Sequence, residues 1–226
     1  MKQPTSVPSL PAPPEVRVRF GTATAKAERY AGWLAGPGVE RGLLGPREVD
    51  RIWGRHLLNC AVLDQYLPRG SSVCDLGSGA GLPGLVLALL RPDCSMVLLE
   101  PLLRRATFLE EVVADLEISG VTVARARAED YASQDRRHDA VVARAVAPLD
   151  RLVGWAMPLL RPGGVLLAQK GAAAFDELEA ARPALDRWGV GERDVLVVAE
   201  GGSVTYIVRV ARPLHPPRTQ RPAEDE

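Results

Sequence analysis

Two hydrophobic rhythms alternate along most of the chain. Short apolar runs at 73–76, 96–100, 121–126, 140–143, 165–169, 195–198 and 204–210 predict seven strands. Between them, apolar residues three and four apart predict helices over 82–90, 102–118, 149–160 and 175–188. Such alternation implies right-handed crossovers and a mainly parallel sheet covered on both faces. The last two strands are joined by residues 199–203 alone, too short for a crossover, so they should pair as an antiparallel hairpin.

The front of the chain has the helical rhythm only. Over 26–34, Tyr30, Trp33 and Leu34 share one face, and Gly36-Pro37-Gly38 is expected to break the helix. Pro46 sits where a second helix can start, and Val49, Ile52, Trp53, His56, Leu57 and Cys60 recur at helical intervals. Proline-rich ends are expected to lack fixed structure. The resulting division is an N-terminal tail (1–23), a helical extension (24–70), an α/β domain (71–212) and a C-terminal tail (213–226).

Composition narrows this picture only a little. With 46% hydrophobic and 25% charged residues, the chain has the balance of an ordinary globular domain. No apolar run reaches the ~18 residues of a bilayer span, and the start lacks the apolar core of a secretory signal. A cytoplasmic location is the expectation, without membrane or metal. Cys60, Cys74 and Cys94 are too far apart for metal-ligand spacing and read as small buried hydrophobes. Net charge is zero, but residues 1–70 hold 10 Lys+Arg against 6 Asp+Glu, and the remainder 18 against 22. That modestly basic front is a slight sign of a polyanionic partner.

The chemistry concentrates in Asp75-Leu76-Gly77-Ser78-Gly79-Ala80-Gly81-Leu82-Pro83-Gly84, a strand end running through a glycine-rich turn into a helix. Glycine there permits positive φ and close approach of a ligand, and Pro83 suits a first helical turn. The GxGxxG spacing of Gly79, Gly81 and Gly84 leaves a dinucleotide formally open. Asp75 argues otherwise: a carboxylate at the strand end repels a pyrophosphate and suits the ammonium of a methionine moiety. Glu100 closes the second strand, placed to accept both hydroxyls of a ribose. After the third strand, Arg127-Ala128-Glu129-Asp130 offers a carboxylate or backbone amide to an adenine edge. S-adenosylmethionine is the cofactor these residues favour.

An Asp-x-Gly-x-Gly turn after the first strand, an acid ending the second and a terminal hairpin resemble the Rossmann-like class I methyltransferase fold. The segments DLGSGAGLPG, LLEPLLRRATFL, RAED, VARAVAPLD and AQKG, with the earlier RHLLN at 55–59, are similar to the RsmG (GidB) family. That resemblance implies methylation of a guanosine N7 in 16S small-subunit ribosomal RNA near the decoding site, with the RNA or the subunit as partner. It implies cofactor contacts from Gly77, Ser78, Gly79, Leu82, Ala128, Glu129 and Arg144, beside Asp75 and Glu100. It makes Arg144 and Lys170 candidates for substrate positioning, and Arg55, His56, Arg104, Arg127 and Lys170 candidates for RNA contacts. The stretch Gly42-Leu43-Leu44-Gly45-Pro46 departs from the family, which commonly carries an Asn-Leu-Thr-like sequence there.

Guanine N7 already holds a free lone pair, so its methylation requires no general base, and positioning and local charge should carry the catalysis. His56 is expected in helix packing, His138 in an exposed loop and His215 in the tail. For Arg144 an ion pair with Asp139 or Asp150 competes with a substrate role, and for Lys170 a solvated position does. Residues 101–151 hold 8 arginines against 9 acids, so no basic face is evident there. A same-fold methyltransferase acting on a small molecule or protein shares every cofactor residue and differs in the front helices. A nicotinamide oxidoreductase and a non-catalytic module are the other classes. Asp75 and the hairpin disfavour the first, and the intact glycine turn with Glu100 disfavours the second.

Overall fold

The structure is a computed structural model that describes residues 7–134, 137–200 and 203–215. Its centre is a seven-stranded sheet of order β3-β2-β1-β4-β5-β7-β6. The strands are β1 (Ser72–Leu76), β2 (Ser95–Leu99), β3 (Val121–Ala124), β4 (His138–Arg144), β5 (Leu160–Lys170), β6 (Arg193–Glu200) and β7 (Ser203–Ala211). β1 to β5 pair in parallel, and β7 runs antiparallel between β5 and β6. The hairpin forms as the short connection required.

Side-chain alternation along the strands divides the core into two. Val73, Ala140, Val142 and Leu167 face one apolar cluster, with Tyr30, Leu34, Ile52, Leu85 and Phe108. Cys74, Leu76, Val141, Ala143, Leu166 and Ala168 face the other, with Leu149, Leu152 and Leu185. On the first face lie the front helices α1 (Pro14–Phe20), α2 (Thr24–Trp33) and α3 (Asn59–Ala61), with α4 (Gly84–Leu90) and α5 (Leu103–Asp115). On the second lie α6 (Ala128–Ala132), α7 (Leu149–Ala156), α8 (Ala174–Ala180) and α9 (Arg182–Arg187). The crossovers change face where β1 lies between β2 and β4, so the carboxyl ends of β1 and β4 flank the crevice in which open α/β sheets bind ligands.

Several local expectations are corrected. Residues expected in an N-terminal tail include α1, which Pro14 opens and which buries Val16 and Phe20 against the first core. Of the expected tails, residues 1–6 and 216–226 lie outside the described residues. Gly36-Pro37-Gly38 does not end the helical path, because a wide π-type turn over Leu34–Gly38 absorbs it. The helix expected near 46–60 is a 3-10 stretch (Pro46–Arg51), a π-type stretch (Ile52–Leu58) and α3. Pro83 is the N-cap of α4 rather than part of its first turn. The helix expected over 175–188 is two, since Pro183 cannot donate the backbone hydrogen bond that would continue it. His138 is a buried residue of β4, its ring stacked on Tyr131 and its Nδ1 2.8 Å from Ser72 Oγ.

Candidate active site and cofactor cavity

The turn after β1 is built around two carboxylates that the sequence already marks. Asp75 is fully buried, and its Oδ2 accepts hydrogen bonds from Ser78 Oγ at 2.6 Å and Gly84 N at 3.0 Å. Its Oδ1 is buried with no partner among the described residues. Burial raises the Asp75 carboxyl to about 7; the Ser78 and Gly84 bonds oppose the rise and the Glu100 charge adds to it. Glu100, also buried, accepts Gly79 N at 3.0 Å and Leu102 N at 2.9 Å. It thereby ties the glycine turn to the start of α5.

Glycine is required at two points for different reasons. Gly77 has φ +70°, and a Cβ there would come within 3.0 Å of Val146, which closes over the turn. At Gly84 a Cβ would meet Asp75 Oδ2 and Leu98 Cδ2, each at 2.5 Å. From the front extension, buried Tyr30 donates its hydroxyl to Ala80 O at 2.8 Å, so α2 holds the turn from the far side.

Two cavities meet at Val146, the residue that closes over this turn. The smaller, about 310 Å³, is largely apolar; Gly77, Leu99, Ala128, Glu129 and Trp155 are among its lining. The larger, about 880 Å³, lies over the ends of β4, β5 and β7; Arg51, Arg55, Arg144, Gln169 and Tyr206 are among its lining.

The expected site residues separate between these places. Gly77, Ala128 and Glu129 line the smaller cavity. Asp75, Ser78, Gly79 and Glu100 form the layer that shapes the turn beside it. Leu82 lines neither cavity and packs against the first core. Arg127, an expected RNA contact, borders the smaller cavity instead, and Arg104 is exposed on the first turn of α5. Arg55 and Arg144 border the larger cavity, and Arg144 makes no bond to Asp139 or Asp150. Its guanidinium donates to His56 Nδ1 at 2.8 Å, Cys60 Sγ at 3.0 Å and Arg55 O at 3.3 Å.

Two of the residues expected at the RNA are engaged by other protein groups. His56 is buried, and because arginine can only donate, its Nδ1 must accept and its Nε2–H must donate to Glu48, 2.9 Å away. Burial and the Arg144 charge lower His56 to about 4, so it is neutral at physiological pH and holds Arg144 through Nδ1. Lys170 borders the larger cavity, but its ammonium is engaged by Ala147 O and Glu177, each at 2.7 Å, and Glu177 also accepts Leu149 N at 3.2 Å. The strand pattern explains the difference. Arg144 and Gln169 are register partners facing the extension, whereas Lys170, one residue on, faces α8. Lys170 therefore clamps the turn after β4, in which Ala145 has φ +54°.

Sequence reasoning missed Arg51, Asn59, Val146, Trp155 and Tyr206 as cavity residues. It also missed Gln169, whose place in AQKG was noted without a role, and it took Tyr30 only as core. Their roles arise from meetings between residues far apart in the sequence, which no local pattern announces.

Comparison with known proteins accounts for this arrangement. Residues 23–201 match the model of the family GidB, described as rRNA small subunit methyltransferase G. A "Ribosomal RNA small subunit methyltransferase G" of Nocardioides sp. is 55% identical over 204 residues, 88% of this chain and 81% of that protein. Its namesake in Thermobifida fusca is 56% identical over 197 residues, 86% and 82% of the two chains. Among solved structures, a ribosomal protein L11 methylase from Lactobacillus delbrueckii subsp. bulgaricus superposes with TM-score 0.53 at 17% identity, covering 69% of this chain and 77% of that one. A precorrin-6y C5,15-methyltransferase from Geobacter metallireducens gives TM-score 0.51 at 19% identity, covering 75% and 90%. At such identity the structures establish the fold alone, which is the Rossmann-like class I methyltransferase fold. The sequence matches establish more: this chain belongs to the GidB family, the rRNA small subunit methyltransferase G proteins.

Proposed function

We propose that this chain transfers a methyl group from S-adenosylmethionine to N7 of a guanosine in 16S ribosomal RNA near the decoding site, acting in the cytoplasm on the RNA or the small ribosomal subunit. The observation that carries this reading is the meeting, at Val146, of a glycine-bordered apolar cavity with a larger one rimmed by Arg51, Arg55 and Arg144. In this reading residues 71–212 are the methyltransferase domain and 24–70 the extension that faces RNA.

The residues present fit the cofactor. Gly77 borders the smaller cavity with its backbone alone, and the unpaired Asp75 Oδ1 is a buried acceptor that a cationic amine would satisfy. Ala128 and Glu129 would flank the adenine. Glu100 would take the ribose hydroxyls on lone pairs left over from Gly79 and Leu102. S-adenosylmethionine, when bound, supplies a methyl group made electrophilic by its sulfonium. The chain's own task is positioning. Guanine N7 carries no proton, so no general base is needed, and His56 with Nδ1 already occupied is not one. Positive charge develops on the purine, so an arginine at N7 would oppose the reaction. Arg144 is therefore placed on O6 or a phosphate, where a planar guanidinium binds well.

The test is transfer of labelled methyl from S-adenosylmethionine to small subunits from a strain lacking the family's enzyme, mapped by N7-specific strand scission. Label at one guanosine N7 is expected. No label, with the cofactor still bound by calorimetry, would overturn the substrate.

A further inference from the structure

At the floor of the larger cavity, Gln169 is 5% exposed and its two amide hydrogens are both engaged by one residue. Gln169 Nε2 donates to Asn59 O at 2.6 Å and to Asn59 Oδ1 at 2.9 Å. Turning the amide over would lose both bonds, so the orientation is fixed. Gln169 Oε1 is buried and has no partner among the described residues. The amide's donor capacity is thus exhausted and its acceptor capacity unused, so a ligand meeting this group must bring a donor.

The sheet supplies the direction. The crevice begins at the Gly77 turn after β1; β4 is the next strand, ending in Arg144, and β5 the next, carrying Gln169. Arg144 and Gln169 are register partners, so they face the same side of the sheet on adjacent strands. A guanine whose N7 points toward the smaller cavity turns its opposite edge, with N1–H and the N2 amine, toward β5. O6 lies between, on the Arg144 side. Guanine presents donors on that far edge, whereas adenine presents an acceptor at N1.

We propose that Gln169 is a specificity-determining residue: anchored by Asn59, its Oε1 accepts from the N2 amine of the target guanine and selects guanine over bases that lack this donor. The inference rests on the guanosine reading above and adds the residue that identifies the base. Opposite adenine or inosine, both of which lack the N2 amine, Oε1 would lose that donor.

The experiment measures single-turnover methyl transfer to reconstituted small subunits whose ligated 16S RNA carries guanosine or inosine at the target position. The enzymes are wild type, Gln169→Leu and Gln169→Met. Wild type is expected to prefer guanosine by about tenfold or more, the discrimination typical of one lost hydrogen bond in a desolvated site. Both variants should slow on guanosine and bring the ratio close to one. S-adenosylmethionine affinity by calorimetry should be unchanged; each variant also loses the two bonds to Asn59, so the guanosine-to-inosine ratio, which a mere loss of stability would not move, is the readout. Equal wild-type rates on the two bases, or a variant that keeps the wild-type ratio, would overturn this inference and leave the proposed function standing. Absence of transfer to guanosine would overturn both.

Discussion

Asp75 and His56 are ionisable groups that burial shifts in opposite senses. Asp75 titrates near 7 in the folded chain, above the ~3.9 of an unfolded aspartate. The native state then holds a proton that the unfolded state has lost, so this contribution is full below about pH 4 and is lost as pH rises through 7. His56 titrates near 4, below the ~6.5 of a free histidine. Its contribution is present above about pH 6.5 and is lost as pH falls toward 4. The two oppose each other, so wild type should show a shallow dependence between pH 4 and 7. Asp75→Asn removes one of them: urea denaturation should then show stability rising with pH across that window, by on the order of a few kcal/mol relative to wild type at pH 8. Identical slopes in the two proteins would remove the buried-charge account. If Asp75 meets the cofactor's amine, binding should also release a proton, read by calorimetry in buffers of different ionisation enthalpy. His56→Ala frees Arg144 and is expected to lower the transfer rate by ~10- to 100-fold, the scale of a misplaced positioning group, with cofactor affinity intact. His56→Asn, whose Oδ1 can replace Nδ1 as acceptor, should recover most of that loss. Because His56 stays neutral, the wild-type pH–rate profile should carry no inflection near 6.5 that disappears in His56→Asn.

The turn after β4 is the element on which both cavities depend. It carries Val146 against Gly77 and places Ala145 at φ +54°, a conformation that costs a non-glycine residue about 1 kcal/mol. Lys170 and Glu177 hold it there through Ala147 O and Leu149 N. Ala145→Gly should therefore raise stability by about 1 kcal/mol in chemical denaturation, and a loss of stability would contradict the strain. Lys170→Ala should slow methyl transfer more than it weakens RNA binding, because the ammonium holds protein rather than phosphate; a pure binding defect would restore Lys170 as an RNA contact. The strand positions were legible because alternation and short apolar runs report burial on both faces directly. The helix ends were less so, since Pro183 divides a segment whose apolar spacing reads as continuous. At Gly36-Pro37-Gly38 the reverse holds: a sequence of breakers is carried within a helical path by tertiary packing of Leu34 and Gly38.

Across the whole molecule, the front extension and the α/β sheet share one apolar cluster, from Val16 and Tyr30 through Val73 to Phe108. The basic excess of the front is small and the net charge is zero, so counterion release gives little affinity for bare RNA. A structured particle should be methylated faster than a short isolated hairpin, and equal rates on the two would reject that expectation. The sequence by itself determined the sheet with its terminal hairpin, the glycine turn and the acids at 75 and 100, because strand alternation and a backbone needing positive φ leave local marks. The partners of Arg144, Gln169 and Lys170 were decided only by the tertiary structure. Consecutive strand residues point to opposite faces, and whether each meets Asn59, His56 or Glu177 depends on which distant helix covers that face.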